Sequence, residues 1–160
     1  MSNGDYRAVA GRIKQELAAL EAVAARAGGA WVEATLSPDD YYVDAAALNL
    51  HGFYASLERV FLIVAERIDK SVPSDASWHQ ELLRQMAAEL PETRPAVISE
   101  QLATQLDRYR GFRHVVRNVY AYVLDPRRVG ELVEGLPPTL KRLRAELTGF
   151  AEALDEIAQG

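Results

Sequence analysis

The sequence predicts an all-α protein: an up-and-down bundle of five to six helices, formed by a single domain over residues 1–160. Apolar residues recur every three or four positions through most of the chain, which is the period of a helix buried on one face. No stretch alternates apolar and polar residues as a half-buried strand does. The breaks between the periodic stretches are short, which favours antiparallel neighbours.

Composition excludes several classes of site. The chain has no cysteine, so disulfides, thiolate metal sites and cysteine nucleophiles are ruled out. Its three histidines do not stand at a metal-ligand spacing, and we expect no metal and no cofactor. Residues Met1–Val9 lack the apolar core of a signal peptide, and the longest apolar run, Val60–Ala65, is too short to cross a bilayer. We therefore expect a cytoplasmic protein without membrane contact.

The first two helices are predicted from their apolar faces and their boundary residues. An apolar face from Tyr6 to Ala24 indicates a first helix that ends at the terminator Gly28–Gly29. Ser37–Asp40 predicts the start of the second helix, with Pro38 in the first helical position and acids in the first turn. That helix should be about thirty residues, or roughly 45 Å, long. Its apolar face consists of Leu50, Phe53, Leu57, Val60, Phe61, Val64 and Ile68.

The second half of the chain predicts three or four further helices. A short third helix begins near Trp78 and stops before Pro91. Another periodic stretch runs from Ser99 to Leu124. Asp125–Pro126 is typical of a cap that starts a short helix, and Pro137–Pro138 introduces the last one.

One segment is strongly basic. Between Arg108 and Arg128 there are six arginines and one acid, for a local charge of +5 in a chain whose net charge is -5. On a helical wheel the polar residues of this segment form one stripe beside the apolar core stripe. The polar stripe consists of Arg110, Arg113, His114, Arg117 and Asn118, with Tyr120 at its border. Guanidinium groups favour two-pronged recognition of phosphate or carboxylate, although a solvated helix face explains arginines equally well.

The segment Phe112–Tyr120, followed by Leu124–Asp125, resembles the signature helix of HepT-like proteins, a branch of the HEPN proteins. Arg113 matches the arginine of the family pattern, His114 the polar residue after it, and Tyr120 the tyrosine. Asn118 stands where the pattern has a histidine. Upstream, Leu48–Tyr54 and Leu57–Arg59 are similar to the long second helix of these proteins.

The resemblance implies a HEPN-like homodimer in which two signature helices face each other across a basic cleft. It also implies a toxin–antitoxin component that acts on RNA, either tRNA or mRNA, and that, if catalytic, is a metal-independent ribonuclease. Arg113, His114 and Asn118 would then occupy the catalytic positions, and Arg110 and Arg117 would bind phosphate. The implied partner is a nucleotidyltransferase antitoxin that transfers AMP to Tyr120.

Asn118 leaves alternatives open, because asparagine cannot carry the proton that a histidine would carry. His114 is one candidate replacement. A second reading is a non-catalytic adaptor that supplies substrate-binding surface to a nucleotidyltransferase, and a third is a dimeric structural bundle whose arginines are only solvated.

Two further groups of polar residues stand outside the basic segment. His51, Glu58 and Arg59 on the second helix predict either an interior polar site or a buried ion pair. His79, beside Trp78, is interpreted as a surface or cap residue.

Overall fold

A computed structural model describes residues 2–117 and 124–160 of the chain. These residues contain five α-helices joined by turns. They are α1 (Asn3–Leu36), α2 (Tyr41–Val64), α3 (Trp78–Ala87), α4 (Glu100–Arg117) and α5 (Pro126–Gln159), and a π-helical segment (Ala65–Asp69) continues α2. No strand occurs in these ranges, which contain only an isolated bridge between Leu90 and Arg94. The all-α prediction is therefore confirmed. None of the described helices has the length and hydropathy needed to cross a membrane.

Helix α1 is longer than predicted, because Gly28–Gly29 lies inside it and does not end it. The helix begins with a capping box, in which the Ser2 hydroxyl accepts from the Asp5 amide at 3.3 Å. Beyond the glycines, Trp31 and Ala34 still pack against the core. Burial of these side chains outweighs the cost of about 1 kcal/mol that each glycine adds to a helix interior.

A matched pair of glycine substitutions tests this continuity. A Cβ at Gly29 meets nothing within 4 Å, so Gly29→Ala should raise the free energy of unfolding by about 0.5–1 kcal/mol. At Gly130, on α5, a Cβ would overlap the indole ring of Trp31, so Gly130→Ala should destabilise the protein. Urea unfolding of both variants measures the effects. A Gly29→Ala variant less stable than wild type would contradict a continuous α1.

Helix α2 begins at Tyr41, a few residues later than the sequence predicted. Ser37 is the C-cap of α1, and its amide donates to the Glu33 carbonyl at 3.0 Å. The Asp39 carboxylate instead accepts from the Tyr41 amide at 3.0 Å. Pro38 therefore belongs to the turn between the helices. Helix α2 and its π-helical continuation end at Lys70, whose φ of 55° is left-handed.

The two helices predicted after Leu124 are a single helix. Asp125 caps it as expected, accepting from the Arg127 amide at 3.0 Å. Pro137 and Pro138 lie in its interior, where a proline usually costs about 3 kcal/mol because it removes a hydrogen bond and crowds the preceding turn. Apolar residues on both sides of the prolines are buried in the same core. They include Leu132, Leu136, Leu143 and Leu147.

The turn between α3 and α4, residues 88–98, is held by a buried ion pair, and we name it the Arg94 corner. The Arg94 guanidinium donates to both carboxylate oxygens of Asp69, at 2.5 and 2.7 Å, and their side chains are 0% and 1% exposed. It also donates to the backbone carbonyls of Gln85, Ala88 and Pro95. The corner therefore attaches α3 and α4 to the end of α2, against which both helices pack.

Candidate functional site

Three charged or titratable side chains from three different helices meet beside α4. Arg113 of α4 donates from Nη1 to Oε1 of Glu58 on α2 at 2.5 Å. The other Glu58 oxygen, Oε2, lies 2.8 Å from Nδ1 of His79 on α3, and this nitrogen is 3.2 Å from Arg113 Nη1. We call these three residues the Glu58 cluster.

Glu58 is the centre of the cluster because it is a buried carboxylate. Its side chain is 4% exposed and lies one turn after Tyr54 on the buried face of α2. A buried carboxylate is costly unless it is paired, and here each oxygen has its own partner. The surroundings are poorly solvated: burial raises the pKa of the Tyr54 phenol well above its usual range, and the Glu58 charge adds to the shift.

Arg113 is therefore held in place by an ion pair with Glu58. The helical wheel had instead predicted that it lies in an open basic stripe. Its side chain is 18% exposed, and its buried Nε has no hydrogen-bond partner among the described residues. Arg110, one turn earlier, pairs with Asp107 at 2.6 Å. Both arginines thus carry a counter-charge that lies outside the segment from which the local charge was counted.

The remaining described arginines of the basic segment lie elsewhere. Arg108, Arg127 and Arg128 line a surface cavity of about 420 Å³ together with two acids, Asp125 and Glu131. The Arg128 guanidinium also lies 5.6 Å from the centre of the Phe112 ring, a cation–π arrangement. The described arginines of the basic segment are consequently divided between this cavity, the Glu58 cluster and the Arg110–Asp107 pair.

Only part of the predicted site can be placed. Arg110 and Arg113 are described with their side chains. The backbones of His114 and Arg117 belong to α4, but their side chains are outside the description. Asn118 and Tyr120 lie outside the described residues.

The contact with Glu58 corrects the interpretation of His79 as a surface or cap residue. Its ring stacks on Trp78 with 3.6 Å between centroids, and 26% of its side chain is exposed.

Arg59, the sequence neighbour of Glu58, is exposed and donates to the Ser56 hydroxyl at 3.1 Å. The detectable signal was the acidic Glu58 within a buried helical face, which requires partners but does not reveal which residues supply them.

A surface cavity lies between α3 and α4. Helices α3 and α4 line a cavity of about 370 Å³ whose wall includes Gln80, the neighbour of His79, and Asp107, the partner of Arg110. Arg84 contributes a cation to the same wall. Within the two described ranges, no three histidine or acidic side chains are grouped so that they could hold a metal ion.

The fold and the site define an all-α bundle in which the arginine of a signature helix is anchored on the second helix. The family model described as HepT-like protein matches residues 45–154, from α2 into α5. The chain therefore belongs to the HepT-like family of the HEPN superfamily, as the resemblance indicated. No curated protein and no solved structure matches it. Family membership supports a HEPN-type toxin–antitoxin component.

Proposed function

We propose that this protein is the RNA-directed component of a HepT-like toxin–antitoxin pair and that it cleaves RNA without a metal. The observation that carries the proposal is the family match over residues 45–154. This range includes all three residues of the Glu58 cluster, which brings a cation, a carboxylate and an imidazole together at the surface of α4.

Arg113 is the group that we expect to hold the scissile phosphate. A guanidinium has five N–H donors, and the Glu58 carboxylate accepts one of them from Nη1. The ion pair fixes the position of the guanidinium before RNA binds, which lowers the cost of ordering it later. Its exposed edge then stabilises the negative charge that develops on the phosphate during cleavage.

A homodimer completes the proposed cleft. Two copies that pair through α4 would place two anchored arginines around one RNA strand, and their positive charge would attract its backbone. Light scattering of the purified protein should give the mass of two chains. A monomer at all concentrations would contradict this part of the proposal.

The direct test of the proposed activity is cleavage of labelled tRNA and mRNA by the purified protein. We expect cleavage to continue in an excess of chelator, because the proposed groups need no metal. The Arg113→Ala variant, purified in the same way, shows whether a contaminating nuclease is responsible. If wild type leaves both RNAs intact at every concentration, the ribonuclease proposal is wrong.

We further propose that the nucleotidyltransferase antitoxin silences the protein by transferring AMP to Tyr120. Tyr120 follows Arg113 by seven residues, so a continued helix would place its hydroxyl on the arginine side. The added phosphate would then compete with RNA for the guanidinium groups. Co-expression with a HepT-type nucleotidyltransferase should increase the intact mass by one adenylyl group, and Tyr120→Phe should prevent this. Tyr41→Phe, at an exposed tyrosine of α2, is the control that should still be modified.

The anchored state of Arg113 also favours a second candidate, a non-catalytic adaptor for a nucleotidyltransferase. Glu58 already compensates the arginine charge, and asparagine occupies position 118. An adaptor should bind a nucleotidyltransferase tightly and increase its activity, while leaving RNA intact. Titration of the protein into a nucleotidyltransferase assay separates this candidate from the ribonuclease.

A further inference from the structure

The proposed ribonuclease needs a group that moves a proton, and the family position for it holds Asn118. The structure contains another imidazole beside the signature arginine, because Nδ1 of His79 lies 3.2 Å from Arg113 Nη1. We propose that His79, from α3, is the proton carrier of the site. This inference rests on the proposed RNA cleavage and adds to it a catalytic residue from outside the signature helix.

The contact with Glu58 prepares His79 for this task. Nδ1 lies 2.8 Å from Glu58 Oε2, and a carboxylate at that distance holds a proton on Nδ1. The lone pair is then on Nε2, on the opposite edge of the ring, as in a hydrolytic site where a carboxylate orients a histidine. The stack on Trp78 fixes the plane of the ring, and 26% of the side chain is exposed to solvent.

The charges around His79 suit a group that gains a proton for a short time. Glu58 approaches it from α2 and stabilises the imidazolium, whereas Arg113 approaches from α4 and repels it. Bound phosphate would offset part of the arginine charge beside the imidazole.

The reaction balances without a metal or a second substrate. Nε2 of His79 takes the proton of the ribose 2′-hydroxyl, and the 2′-oxygen forms a bond to phosphorus. The bond from phosphorus to the 5′-oxygen breaks, and the imidazolium returns its proton to that oxygen. The products are a 2′,3′-cyclic phosphate and a 5′-hydroxyl. Arg113 stabilises the charge on the phosphoryl oxygens throughout.

The test compares variants of the three histidines in the RNA cleavage assay. His79→Gln, which preserves side-chain size, should lower kcat by roughly 100-fold with little change in KM. It should also remove one limb of the pH–rate profile. Adding imidazole should restore part of the activity of His79→Ala, which a purely structural role would not allow. His114→Gln is compared in the same assay, His51→Gln should retain the wild-type rate and profile, and circular dichroism verifies that each variant is folded.

Two outcomes overturn the inference in distinguishable ways. If wild type cleaves RNA and Arg113→Ala does not, but His79→Gln retains the wild-type rate and profile, the role of His79 is wrong and the ribonuclease stands. Loss of that limb in His114→Gln would instead assign the proton carrier to α4. If wild type does not cleave RNA at all, the proposed function fails and the role of His79 fails with it.

Discussion

An Arg113→Ala variant is expected to cleave RNA about 100- to 1,000-fold more slowly than wild type, the usual cost of losing one oriented charge-stabilising group. The substitution removes the cation that we place on the scissile phosphate. Initial cleavage rates at saturating RNA, measured in chelator, give the ratio directly. A rate equal to that of wild type would contradict the assignment of Arg113.

Two other variants separate charge from structure in this experiment. Arg113→Lys keeps a positive charge but loses the planar, two-pronged geometry, so its rate should fall between those of wild type and Arg113→Ala. Arg12→Ala removes an exposed arginine that pairs with Glu16 on α1, and it should leave the rate unchanged. Thermal unfolding of each variant is needed beside the rates, because removing Arg113 takes one of two partners from the buried Glu58.

Arg94→Met is expected to lower the free energy of unfolding by about 3–5 kcal/mol, because it leaves the buried Asp69 carboxylate without its cation. The carbonyls of Gln85, Ala88 and Pro95 lose a donor at the same time. One side-chain donor remains on Asp69, from Gln85 at 2.8 Å. The unfolding midpoint in urea, with the slope compared to that of wild type, measures the loss.

The matched control for Arg94 is Arg12→Met, the same substitution at an exposed ion pair. It should change stability by only about 0.3–0.5 kcal/mol, as is usual for a pair four residues apart on a helix. Adding Asp69→Leu to Arg94→Met should recover part of the loss, since the unpaired buried charge is then gone. Equal, small losses for Arg94→Met and Arg12→Met would show that the Arg94 corner does not hold α3 and α4 in place.

The Glu58 cluster shows how far sequence reasoning reached into the site. It selected Arg113 from the motif and named Glu58 as a possible member of a buried ion pair. It did not connect the two, since they are 55 residues apart and belong to different helices. His79 lies a further 21 residues from Glu58 in the sequence, and no local pattern indicates that its ring faces a carboxylate. Such long-range contacts follow from helix packing.

Some helix boundaries were likewise predicted correctly from the sequence, and others were not. The ends of α3 and the cap at Asp125 were predicted correctly, because short-range residue preferences decide them. Gly28–Gly29 and Pro137–Pro138 misled the prediction, since their local preference opposes a helix that continues. In both cases apolar side chains on the two sides of the break share one buried core, and their burial exceeds the local cost.

Helical periodicity, the arginine motif and its asparagine are properties of neighbouring residues, and from them the helical class and the HepT-like family could be recognised. The partners of each charge could not be predicted in this way, because they depend on which helix faces pack together. Packing of α2, α3 and α4 brings a carboxylate, an imidazole and a guanidinium within 3.2 Å of one another, and it places the counter-charge that a helical wheel cannot show. A buried charge must find a partner, and Glu58 finds its two partners on other helices.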